Sequence, residues 1–403
     1  MRIAAFGRSL PMHAMGGLEV HFQTLVEGLA ARGHEVEVFT TKRRDGIRGE
    51  RQRNLMIHYL SGTLPGRYEM GYFRRSAMAF LDRCRKNPFD AMLSESSAIC
   101  GVLKRHRFLP AGIPAVLMAH GTCKAEIDTK RKVGLWHPKQ LIGALLCLNH
   151  WRRDRKYIQL VEVVIACGEG LKDELVQTYG LEPERVVFQS NGIDTALFAP
   201  DHSRRQQVRN TLGLSSQHLV VMLLGRLHLE KGFGWFIEQV PAMVKECPEV
   251  RCIIVGEGPE RQELEKRATE LGLTDVIRFI GFRPRSDLPA LYNAADIFAF
   301  PSQRSEGQPM SLIEAMASGL PVVATRVGWM ASLFDSGVNG ILVEPGDSKA
   351  FQNEIMTLLK DPQKRQSIGI AARRKAVEAY SIDRVVSEVE SILQQLVSTA
   401  KYR

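Results

Sequence analysis

The chain has 403 residues, 44% of them hydrophobic and 24% charged, which predicts two or three domains with cores of their own and excludes wholesale disorder, collagen-like and repeat composition. Seven scattered cysteines, none spaced Cys-x-x-Cys, argue against a disulfide framework or zinc site and for a reducing, cytoplasmic setting, and no apolar run reaches the roughly 18 residues of a spanning helix. The net charge of +10 is lopsided: residues 1–200 hold 29 Lys/Arg against 20 Asp/Glu and residues 101–160 hold 12 against 3, so the N-terminal half carries either a basic region for an acidic partner or a surface kept soluble by charge.

The opening residues are too short an apolar run for a secretory signal and turn straight into a glycine loop. Ile3 to Phe6 reads as a buried strand. Leu18, Phe22, Leu25, Val26 and Leu29 then share one helical face closed by Gly33, and Val36 to Thr40 reads as the next strand. This β-loop-α-β start implies a parallel sheet, with later strands at Ala115–Met118 and Val161–Ala166. Between Lys130 and Lys156, leucines spaced three and four apart lie among Trp136, Trp151 and two basic clusters, Lys130-Arg131-Lys132 and Arg152-Arg153-Asp154-Arg155-Lys156. That pattern suits a helix lying in an anionic membrane interface, and equally a stripe packed into the core. The polar stretch Phe198–Ser203 and the charged patch Arg204–Arg209 predict a linker.

The pattern then restarts. Strands are expected at Leu219–Leu224, Arg251–Val255, Val276–Ile280, Ile297–Phe300 and Val322–Ala324, and helices at Phe233–Lys245 and Glu260–Leu271. Val385 to Leu396 reads as an amphipathic helix. Two open α/β domains of similar size are expected to put a cleft between the carboxyl ends of two sets of strands, where doubly wound folds bind ligands.

Four loops carry candidate chemistry. Gly16-Gly17-Leu18-Glu19 precedes the first helix, where glycines allow close backbone approach and a helix start receives an anion, or where they only shape a turn. Gly225-Arg226-Leu227-His228-Leu229-Glu230-Lys231-Gly232 follows the first strand of the second half; its two cations suit a diphosphate, or pair at the surface with Glu230. The segment Ser305-Glu306-Gly307-Gln308-Pro309-Met310-Ser311-Leu312-Ile313-Glu314 follows the strand ending near Phe300. Ser311 with Glu314 reads as a capping box starting a helix at Ser311, which makes a second anion site; Glu314 either only caps or also binds, while Glu306 has no such structural role. Ala119-His120-Gly121-Thr122 puts a histidine at a strand's carboxyl end. No two aspartates stand two residues apart, so no Asp-x-Asp pair is offered to a metal ion.

The third loop resembles the Glu-x7-Glu signature of the retaining glycosyltransferases of family 4, and the Gly-Arg-…-Glu-Lys-Gly loop is similar to that family's phosphate loop. Further matching segments are Asn191-Gly192-Ile193-Asp194-Thr195, Val255-Gly256-Glu257-Gly258-Pro259, Phe279-Ile280-Gly281-Phe282 and Ala294-Ala295-Asp296-Ile297. The resemblance implies the GT-B fold, two Rossmann-like doubly wound parallel-sheet domains facing a central cleft. It assigns residues 1–198 to an acceptor-side domain, on which a helix from 382 to 403 packs back, and residues 199–381 to a nucleotide-sugar domain.

By the same resemblance, Arg226 and Lys231 hold the donor diphosphate, Glu314 binds the ribose, Glu306 contacts the transferred sugar, and His120 lies beside it. Gly16 and Gly17 close the donor site, backbone near Phe282 and Arg283 reads the base, and Gly256, Pro309, Met310, Ser311 and Leu312 complete the donor pocket. Pro309 departs from the family's usual Gly-Phe-Gly-Leu-Pro order and removes one N–H from the phosphate cradle. The implied reaction is sugar transfer from a nucleoside diphosphate sugar, UDP-linked in preference to GDP-linked. Configuration is retained, and no metal or other cofactor takes part. The expected acceptor is a carbohydrate, a lipid-linked or cell-surface polysaccharide or lipopolysaccharide precursor; residues 130–156, rather than the resemblance, point to an anionic membrane surface, and no nucleic-acid partner is expected. A soluble small-molecule acceptor, a sugar-nucleotide epimerase on the same scaffold and a non-catalytic binding module are the alternatives.

Overall fold

The computed structural model describes residues 1–13, 16–68, 71–105, 112–127 and 138–401. They divide into two compact units, Met1–Gly192 with Ile382–Arg403, and Ile193–Ser381. The division falls six residues before the expected 198/199, because Ile193 and Phe198 are both fully buried in the second unit's core.

The first unit is built on β1 (Arg2–Phe6), β2 (Glu35–Thr41), β3 (Gly49–Gln52), β4 (Leu55–Leu60), β5 (Ala91–Glu95), β6 (Ala115–Ala119), β7 (Val163–Ala166) and β8 (Val186–Phe188). They lie in the order β3-β4-β2-β1-β5-β6-β7-β8. Only β3 runs antiparallel to its neighbour; the other ladders are parallel. Chain order reverses at β1, with β2 on one side and β5 on the other. The loops beyond the carboxyl ends of β1 and β5 therefore border the crevice where such sheets take ligands.

The helix Ile382–Lys401 belongs to this unit. Its Val386, Val389 and Leu393 join Leu25, Val26 and Leu29 of the helix Gly17–Ala31 in one core cluster. Glu390 ties the edge of that contact, meeting Arg32 Nη1 at 2.9 Å and His34 Nε2 at 2.7 Å.

The second unit holds β9 (Leu219–Leu224), β10 (Val250–Val255), β11 (Ile277–Gly281), β12 (Ile297–Phe300), β13 (Val322–Thr325) and β14 (Ile341–Val343). Their order is β11-β10-β9-β12-β13-β14, all parallel. Because side chains alternate across a strand, Val220 and Met222 enter one core cluster while Val221 and Leu223 enter another on the opposite face. Strands buried on both faces read as continuous apolar runs. The reversal here lies between β9 and β12.

Two expectations fail locally. The supposed linker contains a helix, His202–Thr211, capped by Asp201, whose Oδ1 accepts from Ser203 N and Arg204 N, each at 3.0 Å. Its charges are not linker-like because Arg205 and Arg209 reach Asp296 at 2.7 and 3.4 Å. The single helix expected over Phe233–Lys245 is two, Phe233–Ile237 and Val240–Glu246, with Pro241 in the first turn of the second, where a missing N–H costs nothing.

Candidate functional site

In the second unit the loop after β9 carries both cations. Arg226 is exposed, and among the described residues nothing pairs with its guanidinium. Lys231 closes a short 3-10 turn, Leu229–Lys231, followed by Gly232 at φ 73. A Cβ on Gly232 would overlap the carbonyl oxygen of Pro301, so glycine lets this loop press against the one after β12. Gln303 N and Arg304 N donate to Glu230 O at 2.8 and 3.1 Å, stitching the two loops together.

That contact brings two candidate residues to one point. Lys231 Nζ donates to Glu306 Oε1 at 2.5 Å, and Ser302 Oγ donates to the same oxygen at 2.9 Å. Trp329 N holds the Glu306 carbonyl at 2.9 Å. The alternative pairing of the loop's cations with Glu230 is not formed; Glu230 accepts instead from Arg304 Nη1 at 2.9 Å.

The next helix is Met310–Ala317, with Pro309 at its N-cap and no side-chain cap hydrogen bond. The expected capping box is therefore absent: Ser311 lies inside the helix. Glu314 lies in the second turn and is only 2% exposed. Its Oε1 accepts from Arg285 Nη1 at 2.6 Å and its Oε2 from Tyr292 OH at 2.9 Å. Burial raises the Glu314 pKa, with the Arg285 charge and the Tyr292 hydrogen bond opposing it.

The side chains of Met310 and Leu312 are core, and Leu312 N bonds to Pro309 O at 3.1 Å. What the helix start offers an anion is first-turn backbone N–H and its dipole. Phe282 and Arg283 are exposed on the loop after β11. Gly256, at φ 135, lets that region close up, since a Cβ there would overlap Gly225 O; its N–H bonds to Gly281 O at 2.9 Å.

In the first unit, Gly16 is the N-cap of the helix Gly17–Ala31. Glu19 folds back to accept from Ser9 Oγ at 2.6 Å. His120 follows β6, and its Nε2 sits 2.7 Å from Oε1 of Glu95 at the end of the neighbouring β5. The His21 ring meets the His120 ring edge-on, 5.4 Å between centroids. Sequence reasoning missed Glu95, His21, Ser302, Arg285 and Tyr292. Glu95 carried the same signal as His120, a charged residue closing an apolar strand.

The basic stretch at 130–156 is partly described. Lys130 to Trp136 lie outside the described residues, as do the side chains of Leu141 to Leu146. In the helix Pro138–Ile158, Arg152, Arg155 and Lys156 are exposed. Arg153 is engaged by Asp154 at 3.0 Å and stacks over Phe73 at 4.9 Å. Trp151 is half-buried, its Nε1 enclosed. The adjoining helix Tyr72–Lys86 exposes Arg74, Arg75, Arg85 and Lys86. Among the described residues no helix is long and apolar enough to cross a membrane.

Residues 15–197 match the family described as Glycosyltransferase Family 4, and residues 204–375 the one described as Glycosyl transferases group 1. The chain is 29% identical to the D-inositol 3-phosphate glycosyltransferase of Salinispora arenicola, over 95% of this chain and 88% of that one. It is 34% identical to the GDP-mannose-dependent alpha-(1-6)-phosphatidylinositol monomannoside mannosyltransferase of Mycolicibacterium smegmatis, over 47% and 51%. Similar solved structures include HepE of Anabaena in complex with UDP, at TM-score 0.74, 23% identity and 98% and 100% coverage. Another is the sucrose-phosphate synthase of Thermosynechococcus elongatus, at TM-score 0.82, 21% identity and 99% and 100% coverage.

Proposed function

This chain belongs to the family 4, group 1 glycosyltransferases, with the GT-B fold of two doubly wound parallel-sheet units, and we propose that it moves a sugar from a nucleoside diphosphate donor to an acceptor hydroxyl, with Arg226, Lys231, Glu306 and Glu314 as the donor half of the site. The observation that carries this is the meeting of Lys231 and Glu306 where strand order reverses between β9 and β12. A departing diphosphate develops negative charge, and Arg226, Lys231 and the start of the helix Met310–Ala317 stabilise it electrostatically. These cations take the place of a metal ion, so a chelator leaves the rate unchanged. Glu306 holds the transferred sugar, Glu314 the ribose, and the sugar keeps its configuration; the roles we propose for His120, Gly16 and Gly17 are those the resemblance implies, His120 beside the transferred sugar and the glycines closing on the donor.

The test is a panel of sugar nucleotides of both bases, read by thermal stabilisation and then by NMR of the product's anomeric configuration. A UDP-sugar is expected to raise Tm by mass action and to give a product of retained configuration. If no sugar nucleotide stabilises the chain or is consumed, the reading is wrong.

Glu314→Ala is expected to weaken free nucleoside diphosphate binding by about tenfold. It also leaves Arg285 without its carboxylate and Tyr292 OH with only the Ser311 carbonyl, at a cost of about 1–3 kcal/mol, where a capping role alone would leave nucleotide affinity intact. Calorimetric titration beside thermal unfolding separates the two.

For the acceptor we propose a phosphate-bearing or lipid-linked carbohydrate precursor at an anionic surface. Support comes from the exposed Arg152, Arg155 and Lys156 and the basic face of Tyr72–Lys86, and from relatives named for inositol phosphate and phosphatidylinositol mannoside. Vesicle co-sedimentation is expected to show salt-sensitive binding to anionic but not neutral lipid, at about 1 kcal/mol per basic residue. Changing Arg152, Arg155 and Lys156 together to Ser should weaken it by about a hundredfold, at about 1 kcal/mol for each charge removed. No binding at low salt would favour a soluble acceptor.

A further inference from the structure

Eleven buried side-chain polar atoms among the described residues lack an aligned hydrogen-bond partner, and four of them belong to one cluster: both carboxylate oxygens of Glu95, Nε2 of His120 and Nε2 of His21. Glu95 Oε1 and His120 Nε2 are partnered as a charge pair at 2.7 Å, which leaves Glu95 Oε2 and His21 Nε2 without one. Buried polar groups are paired nearly everywhere in proteins, so such a concentration calls for a functional account. The backbone points the same way. Ser96, directly after Glu95, has φ 50, a left-handed conformation that a residue with a Cβ keeps only when its surroundings hold it there. Ser94 does so: its Oγ donates to Ser96 O at 2.9 Å and accepts from Ile99 N at 3.0 Å.

We propose that Glu95 is a positioning residue for the transfer reaction, its carboxylate fixing the ring and the charge of His120 at the end of β6. This rests on the transferase reading above, in which His120 lies beside the transferred sugar. Burial alone would lower the His120 pKa; the Glu95 carboxylate outweighs it, Cys167 adds to the effect, and the value rises to about 10. Burial pushes the Glu95 carboxyl up, with His120 and Arg8 opposing and Glu19 adding. Burial, followed by the His120 charge, lowers His21 to about 3, so that ring stays neutral.

His21 Nδ1 accepts from Gly192 N at 3.3 Å, which leaves the His21 proton on Nε2. The groups acting on His120 are therefore Glu95 from β5, Cys167 after β7 and His21 from the helix Gly17–Ala31. Glu19 and Arg8 act through Glu95. With Nε2 held by Glu95, a His120 ring protonated at both nitrogens has Nδ1 left as a donor, whereas a neutral ring with its proton on Nε2 has Nδ1 as an acceptor.

The test uses Glu95→Gln and Glu95→Asp, with His120→Gln to assign the ring signal. His120 is titrated by NMR, and kcat and donor KM are followed from pH 5.5 to 9. In the unaltered chain the ring should keep its proton to about pH 10, and kcat should show no histidine step between pH 6 and 8. In Glu95→Gln only Cys167 still opposes burial, the ring loses its proton below neutrality, and kcat at pH 8 falls at least tenfold while donor KM changes less than twofold. Activity should recover as the pH is lowered towards the new ring titration.

Glu95→Asp should restore part of both effects, and it carries the test if Glu95→Gln does not fold. A ring titration unchanged in either variant, or a kcat loss that does not track it, overturns the proposal. The NMR arm needs no turnover, so a chain that consumes no sugar nucleotide would fail the transferase reading while the Glu95–His120 pair is still measured.

Discussion

Lys231→Ala is expected to lower kcat/KM by about two to three powers of ten, the scale for removing one preorganised charge-stabilising group from a transition state. Arg226→Ala should do the same with a cleaner control. Arg226 is exposed, so its loss should move folding stability by no more than about 0.5 kcal/mol. Lys231→Ala leaves Glu306 Oε1 with Ser302 as its remaining donor, so its effect on unfolding is measured alongside. Lys231→Arg is not a conservative change here, because a rigid fork replaces a compact point charge on a flexible stem. Steady-state kinetics across donor concentration separates lost diphosphate binding, seen in KM, from lost leaving-group stabilisation, seen in kcat. Near-native turnover in both alanine variants would move the diphosphate site elsewhere.

Glu306→Gln should split binding from catalysis in opposite directions. The carboxylate occupies Lys231 in this state, so a nucleoside diphosphate has to compete for that ammonium. Neutralising Glu306 frees Lys231 without removing it, and Gln can still accept from Ser302 Oγ. With the two side chains only 12% and 23% exposed, the cost of desolvating both charges offsets much of their attraction. Affinity for the free nucleoside diphosphate is therefore expected to rise by about two- to fivefold. Turnover should fall by about two to three powers of ten, because the charge beside the transferred sugar is gone. Calorimetric titration with the nucleotide and initial-rate kinetics on one preparation check both signs. A parallel fall in affinity and rate would mean that Glu306 shapes the loop rather than the chemistry.

The candidate donor site was legible where a glycine-and-charge loop follows an apolar strand, because local pattern marks a strand's carboxyl end. Arg226, Lys231 and Glu306 were found that way. The environment of Glu314 was not, since Arg285 and Tyr292 stand 29 and 22 residues away in sequence and reach it only through packing. Ser311 and Glu314 at capping-box spacing pointed to the wrong partner, because the helix begins at Met310 with Pro309 as its cap. Glu95 and His120 meet because β5 and β6 are neighbours, and strand adjacency is a property of the sheet, not of either segment. The charged run after Pro200 looked like a linker for a similar reason: its arginines are satisfied by Asp296, more than eighty residues on.

The first unit's core borrows Val386, Val389 and Leu393 from the helix Ile382–Lys401, which a ribosome delivers only after all of Ile193–Ser381. Translation at about 5–20 residues per second separates the two parts of that core by roughly 10–40 s. The second unit is contiguous in sequence and can close as soon as it emerges. During biosynthesis the usual order is thus reversed: the later-made unit finishes first, while Leu25, Val26 and Leu29 wait without their cover. A nascent chain stalled before Ile382 should carry a folded second unit behind an exposed apolar strip, the kind of surface that chaperones hold and that aggregates when they do not.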